Sequence, residues 1–293
     1  MVVGGSTVVG FIGTGVMGKS MASHIMGGGF KLHVYNRTKS KTDELVQKGA
    51  VWESSAGEIA KKCDIIIAIV GFPNDVEEVF LGKQGLIENA KRGSIIIDMT
   101  TSRPDLAERI YRAAKEKGIA ALDAPVSGGD RGAREARLSI MVGGDKETFD
   151  AVQPIFGRMG TSVYQGGPGS GQKTKMANQI AIAAGMLGVC EAIAYSVKSG
   201  LDPKTVLKSI EGGAAGSWSL SNYGPRMIDG KFDPGFYVKH FIKDMRIAVD
   251  SAKSQGLDTP GLALALQLYE KLAAKGFDNL GTHALYKLYT EGA

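Results

Sequence analysis

Lys175 and Asn178 stand in Gly169-Ser170-Gly171-Gln172-Lys173-Thr174-Lys175-Met176-Ala177-Asn178, and with Gln179 they fall at i, i+3 and i+4 on one helical face. The run that follows is almost wholly apolar, and an unpaired ammonium buried there is costly, so Lys175 must be paired, exposed or functional. Facing a cleft, it could give a proton to a carbonyl oxygen as hydride arrives at the carbon, with Asn178 orienting that oxygen or a carboxylate. The other reading is a lysine that snorkels between domains. Ser127-Gly128-Gly129, in Asp123-Ala124-Pro125-Val126-Ser127-Gly128-Gly129, exposes several N–H groups and one hydroxyl to the same space, a concavity suited to a carboxylate. The same residues serve equally well as a structural turn. Lys243-Asp244 is a second candidate for the cleft, although alone it reads as a surface ion pair.

These residues need elements to hold them. An apolar strand over Thr7 to Ile12 runs into Gly13-Thr14-Gly15-Val16-Met17-Gly18, with a helix opening at about Val16. Gly13 permits the turn, Gly15 lets the backbone approach a pyrophosphate, and Gly18 lets the helix pack close to the strand. The pattern predicts a bound dinucleotide. The next strand, Lys31 to Tyr35, ends in Asn36-Arg37-Thr38, where an Asp or Glu would accept the ribose hydroxyls and repel a 2′-phosphate. Arg37 can grip that phosphate through its guanidinium fork, which favours NADP and leaves NAD possible. A basic turn opening a helix at Ser40 explains the lysines there but not the missing acid. Phe72 and Pro73, after the third long strand, could wall the cofactor, and a plain loop explains them nearly as well. Thr101, in Met99-Thr100-Thr101-Ser102, sits where hydroxyls would meet the nicotinamide ribose, and Ser102 is expected to cap the helix from Pro104.

Strands at 64–70, 94–98 and 119–122 alternate with helices at 16–26, 40–48, 75–81 and 104–117, the signature of an α/β, Rossmann-type doubly wound parallel sheet. Strands at 138–142 and 162–164 extend it, with one helix over 146–159 between them. Beyond the breakers Gly166 to Gly171 the patterns are helical only: 176–197, apolar all round and so expected to be a buried spine, then 203–211, 237–255, 260–275 and 283–289. The chain therefore divides into a dinucleotide-binding domain over 1–165 and a smaller all-α domain over 166–293.

The 293 residues carry a net charge of +5 without a block of like charges, which argues against nucleic acid as a partner. Cys63 and Cys190 are far apart and fit buried hydrophobes in a reducing compartment. The four histidines make no ligand pattern, so no metal is expected. The N-terminal Met-Val-Val-Gly-Gly-Ser lacks a basic leader, and the apolar runs read as too short or interrupted to span a bilayer. Together these features read as a cytoplasmic protein.

Taken in order and at this spacing, the segments Gly10 to Gly18, Asp123 to Gly129, Gly169 to Asn178 and Lys243 to Ala248 resemble those of the β-hydroxyacid dehydrogenase family, and the resemblance covers nearly the whole chain. It implies that Lys175 is the general acid/base, that Ser127, Gly128 and Gly129 hold a substrate carboxylate, and that Asn178 assists. Phe72, Pro73, Thr101 and Lys243 would line the cofactor site, with Gly13, Thr14, Gly15, Val16, Met17, Gly18, Asn36, Arg37 and Thr38 around the dinucleotide. The implied reaction is hydride transfer between NADP(H) and a small β-hydroxyacid, semialdehyde or 2-oxoacid, such as glyoxylate or succinic semialdehyde, in a homodimer or homotetramer. An NAD-dependent 3-hydroxyisobutyrate dehydrogenase and a non-catalytic dinucleotide-binding module are the alternatives. The stretch 212–223, with Trp218 and Ser219, is expected to contribute to the substrate side-chain pocket. Two departures bear on the substrate: Ala136 stands where family members often carry glycine, and Asp130 to Glu135 is unusually charged.

Overall fold

The computed structural model describes residues 3–290. The outer ends of the two expected domains, at 1–2 and 291–293, and the first two residues of the leader reading lie outside the described residues.

Runs of β-branched residues build the sheet. Strands β1 (Val8–Ile12), β2 (Lys31–Tyr35), β3 (Val51–Trp52), β4 (Ile65–Ala68), β5 (Ile95–Asp98) and β6 (Ala120–Asp123) pair in parallel. The nine-stranded sheet is completed by β7 (Val126–Ser127), β8 (Leu138–Gly144) and β9 (Gly160–Gly166), in the order β3-β2-β1-β4-β5-β6-β8-β7 with β9 on β8. The sheet is not parallel throughout: β8 runs antiparallel to β6 and β7.

Around the sheet lie α1 (Gly18–Gly27), α2 (Asp43–Gln47), α3 (Ala56–Lys62), α4 (Pro73–Leu81), α5 (Leu86–Asn89), α6 (Pro104–Glu116), α7 (Gly129–Arg134), α8 (Lys146–Ala151) and α9 (Gln153–Phe156). The strands alternate with period two. Val9, Phe11, Ile65, Ile67, Ile95 and Ile97 form one core with Met21 and Ile25, while Ile66 and Ile96 join Ile59, Phe80 and Ile110 in the other. Both faces are thus covered, as a parallel sheet requires. Gly10 leaves room there for Ile59 and Cys63, since a Cβ would collide with the Ile59 side chain. Burial pushes the Cys63 thiol up to about 12, consistent with a packing role.

The second unit contains α10 (Ser170–Lys198) over most of its length, followed by α11 (Pro203–Ile210), α12 (Trp218–Ile228), α13 (Val238–Ser254), α14 (Pro260–Leu272) and α15 (Lys287–Thr290). Its core joins Met186, Cys190 and Ile193 of α10 to Phe241 and Met245 of α13 and to Leu262 and Tyr269 of α14. Tyr269 is fully buried and donates its hydroxyl proton to the Thr282 carbonyl at 2.7 Å.

Several expectations are corrected here. The compact units are Met1–Lys175 and Met176–Ala293, so the first turn of α10 groups with the sheet. The cause is Asp123, which binds the backbone of the first turn of α10 to the sheet (below). The helix expected over 146–159 breaks at Val152, just before Pro154, whose ring cannot continue it. The spine is not buried all round, because α10 exposes Ala177, Ala181, Ala184, Gly185 and Gly188. It is also long and apolar enough, by length and composition alone, to cross a membrane. Trp218 opens a helix and is 55% exposed, with Tyr223 edge-on at 5.1 Å.

Candidate active site

The parallel register brings Ile12, Tyr35, Ala68, Asp98 and Asp123 to one edge of the sheet, so the loops that follow β1, β2, β4, β5 and β6 leave the same side. In sheets of this kind ligands bind at that edge. All the candidate residues of the first unit except Lys175 and Ser127, which ends β7, lie on these loops or at their helix starts.

The first group surrounds the glycine turn. Gly13 has φ +92°, which an L side chain adopts only with strain, and a Cβ on Gly18 would overlap the Gly13 carbonyl oxygen. Around Gly15, by contrast, nothing lies within 4 Å of where a Cβ would be. The turn is thus closed toward the sheet and open on its outer side, as a pyrophosphate cradle requires. The Thr14 hydroxyl is buried there without a hydrogen-bond partner among the described residues. Val16 is exposed, and Met17 precedes the first residue of α1. Asn36 braces the loop: its Oδ1 accepts the Thr14 N–H at 3.1 Å and its Nδ2 donates to the Thr38 carbonyl at 2.9 Å. Arg37 is exposed and pairs with Asp75 at 3.2 Å. Asp75 also accepts the Phe72 N–H at 3.1 Å, so it fixes the start of α4, where Pro73 is the first residue.

The second group centres on the first turn of α10. Asp123 is 5% exposed and accepts the N–H of Gly169 at 2.8 Å and of Gln172 at 2.7 Å. Burial pushes its carboxyl above the ordinary range, and the N–H bonds from Gln172 and Gly169 oppose that shift. An acid at a helix N-terminus satisfies donors that have no partner within the helix. The side chain of Gln172, fully buried, spans to the loop after β5. Its Nε2 donates to the Thr100 carbonyl at 2.7 Å, and its Oε1 accepts the Ser102 N–H at 2.9 Å. Thr100 in turn accepts the Val70 N–H at 2.9 Å. Ser102 does not cap α6; Arg103 holds the cap position, and the Ser102 hydroxyl is buried without a hydrogen-bond partner among the described residues.

This frame aims Lys175. The residue is 6% exposed, and its ammonium donates to the Val126 carbonyl at 2.8 Å. That carbonyl immediately precedes Ser127, Gly128 and Gly129, and the two glycines adopt φ +126° and +64°. The second unit holds a separate polar chain. Asn178 donates to Gln179 at 2.7 Å, Gln179 donates to the buried Asp244 at 2.5 Å, and Asp244 pairs with Lys243 at 2.8 Å. In the Lys243–Asp244 pair the carboxylate is buried and the ammonium mostly so, unlike a surface ion pair, the reading the pair has when taken alone.

Residues 8–167 match the model of the NAD binding domain of 6-phosphogluconate dehydrogenase, and residues 169–289 match that described as NAD-binding of NADP-dependent 3-hydroxyisobutyrate dehydrogenase. The chain belongs to the β-hydroxyacid dehydrogenase family. An uncharacterised oxidoreductase of Bacillus subtilis (strain 168) is 61% identical, over 97% of this chain and 99% of its own. The 2-hydroxy-3-oxopropionate reductase of Escherichia coli (strain K12) is 40% identical, over 94% of this chain and 95% of its own. The structure of Mycobacterium tuberculosis 3-hydroxyisobutyrate dehydrogenase with L-serine superposes with a TM-score of 0.88 at 26% identity, covering 97% of this chain and 99% of that one. As a member of this family the chain is an NAD(P)-dependent dehydrogenase acting on CH–OH groups, with a Rossmann-like domain and a helical C-terminal domain.

The polar frame was the part that sequence reasoning missed. Asp123 was read only as the start of a loop motif and Gln172 only as part of a helix opening, because their partners lie 46, 49, 70 and 72 residues away.

Proposed function

We propose that the chain is an NADP(H)-preferring reductase of small aldehyde- or oxo-acids, such as glyoxylate or succinic semialdehyde, with Lys175 as the general acid. The observation that carries this reading is the Lys175 ammonium on the Val126 carbonyl, beside the Ser127–Gly129 loop. Ser127 offers a hydroxyl, and Gly128 and Gly129 offer backbone N–H groups, to the substrate carboxylate. That contact sets the neighbouring carbonyl oxygen against Lys175. A nicotinamide held beside this loop would supply the hydride for the carbonyl carbon. Lys175 gives its proton to the oxygen and is reprotonated from solvent. Reduction draws on the proton of the Lys175 ammonium, whereas oxidation needs the neutral amine.

Gly13, Thr14, Gly15, Val16, Met17 and Gly18 would hold the pyrophosphate, with Asn36 and Thr38 supporting the loop and Arg37 on the 2′-phosphate. Phe72, Pro73, Thr101 and Lys243 would flank the rest of the cofactor, and Asn178 would orient the substrate. The lack of an acid at the end of β2 and the NADP-dependent description of the matching C-terminal model support NADP over NAD. The exposed small residues of α10 support a homodimer or homotetramer, which a mass by light scattering checks.

The test is cofactor oxidation followed by absorbance, with NADPH and NADH offered separately against glyoxylate, succinic semialdehyde and methylmalonate semialdehyde. NADPH-preferring turnover of one aldehyde acid is expected. Faster turnover with NADH would favour a 3-hydroxyisobutyrate dehydrogenase, and no turnover with any substrate would favour a binding module.

A further inference from the structure

Arg37 has a neighbour whose charge opposes the task assigned to it. Where a dinucleotide site rejects a 2′-phosphate, the acid that does so closes the second strand. Here that place is taken by Asn36, whose side chain is engaged with the Thr14 N–H and the Thr38 carbonyl. The acid arrives from another strand. Asp75 lies in the first turn of α4, after β4, and reaches Arg37 across the end of β1, which β2 and β4 flank.

The two partners are held unequally. Asp75 is anchored, because its Oδ2 accepts the Phe72 N–H at 3.1 Å and its side chain is only 20% exposed. Arg37 is 81% exposed and touches the Asp75 Oδ1 at 3.2 Å. Lys39 does not stand in for it, since its ammonium lies over the Trp52 ring at 4.2 Å. An exposed pair of this kind adds little to stability. Its consequence falls on the ligand. A 2′-phosphate that grips the guanidinium must draw it from the carboxylate and then carry its own negative charge beside that carboxylate. A ribose bearing only hydroxyls meets no such repulsion.

Resting on the reading of Arg37 as the phosphate-binding residue, we propose that Asp75 is a specificity-determining residue that holds the NADPH preference down and keeps NADH usable. The experiment is equilibrium titration of the intact protein with NADPH and NADH, read by nucleotide fluorescence, for the wild type and for Asp75→Asn, Asp75→Glu and Arg37→Ala. Asp75→Asn keeps an oxygen for the Phe72 N–H while removing the charge. It should tighten NADPH roughly fivefold and change NADH less than about twofold, an effect that shrinks as salt is raised. Asp75→Glu should keep the wild-type ratio. An unchanged ratio in Asp75→Asn, a shift toward NADH, or an equal shift in Asp75→Glu would overturn the proposal. Arg37→Ala separates the two claims. If it weakens NADPH while Asp75→Asn changes nothing, only the role of Asp75 fails; if it leaves NADPH binding intact, the reading of Arg37 fails and the proposal with it.

Discussion

Asp123 in the first unit and Asp244 in the second are both buried carboxylates, and they are satisfied by different means. Asp123 accepts peptide N–H groups from the start of α10, with burial working against its charge. Asp244 faces the ammonium of Lys243 and the amide of Gln179. A carboxylate bound to backbone fixes where a helix begins, and so fixes every side chain that the helix carries. A carboxylate bound to side chains fixes only those side chains. The first unit thus sets the position of Lys175 through main chain, and the second sets Lys243 and Asn178 through rotamers.

Crowding the backbone anchor breaks that contrast most severely. A methyl group on Gly171 would overlap the Met141 and Asp123 carbonyl oxygens, so Gly171→Ala should cost about 3 kcal/mol of stability, read from urea denaturation. The helical unit has its own weak point, His283, in acid. Burial lowers its pKa from 6.5 to about 4, its Nε2 donates to the Lys231 carbonyl, and its Nδ1 is buried without a partner among the described residues. Between those two values the unfolded chain takes up a proton that the native state refuses, so stability rises with pH. The contribution is present above pH 6.5 and is lost as pH falls toward 4, a loss of about 3 kcal/mol. Urea midpoints taken from pH 7 downward should show it, and His283→Gln should flatten the slope.

Replacing one oxygen of each carboxylate sharpens the comparison. Asp123→Asn turns an amide N–H toward a backbone donor, so kcat should fall about thirtyfold with little change in nucleotide affinity. Asp244→Asn should cost less, about fivefold, because side chains can rearrange around it. The smallest change expected is a gain. Ala136 has φ +52°, the one non-glycine residue with positive φ among those described, and Ala136→Gly should raise stability by about 1 kcal/mol. Thermal unfolding would show this directly.

The presence and order of the long strands could be read from the sequence because glycine turns and β-branched runs are local signals. Their ends shifted: the strand expected over 64–70 is Ile65–Ala68 and that over 162–164 is Gly160–Gly166. Ala136 was legible too, as an alanine where glycine was expected, and its left-handed backbone supplies the reason. Other elements escaped. β7 has two residues, and α7 begins in a glycine pair that reads as a turn. α12 carries Gly224 and Pro225, both poor helix formers, yet Leu220, Tyr223 and Met227 bury one side of it. The spine of α10 misled because an all-apolar pattern does not say whether small residues are packed or exposed. Asn36 was read as a residue beside the dinucleotide, and its hydrogen bonds show that it first braces the glycine turn.

The central claim is that Lys175, aimed at the Ser127–Gly129 loop by the first turn of α10, supplies the proton. It is tested most directly by single-turnover reduction of the best aldehyde acid by Lys175→Ala, with and without added methylamine. The account predicts a rate lower by about three orders of magnitude, unchanged nucleotide affinity, and partial recovery as amine is added. A rate within tenfold of the wild type, or a loss that amine leaves untouched while nucleotide binding collapses, would contradict it.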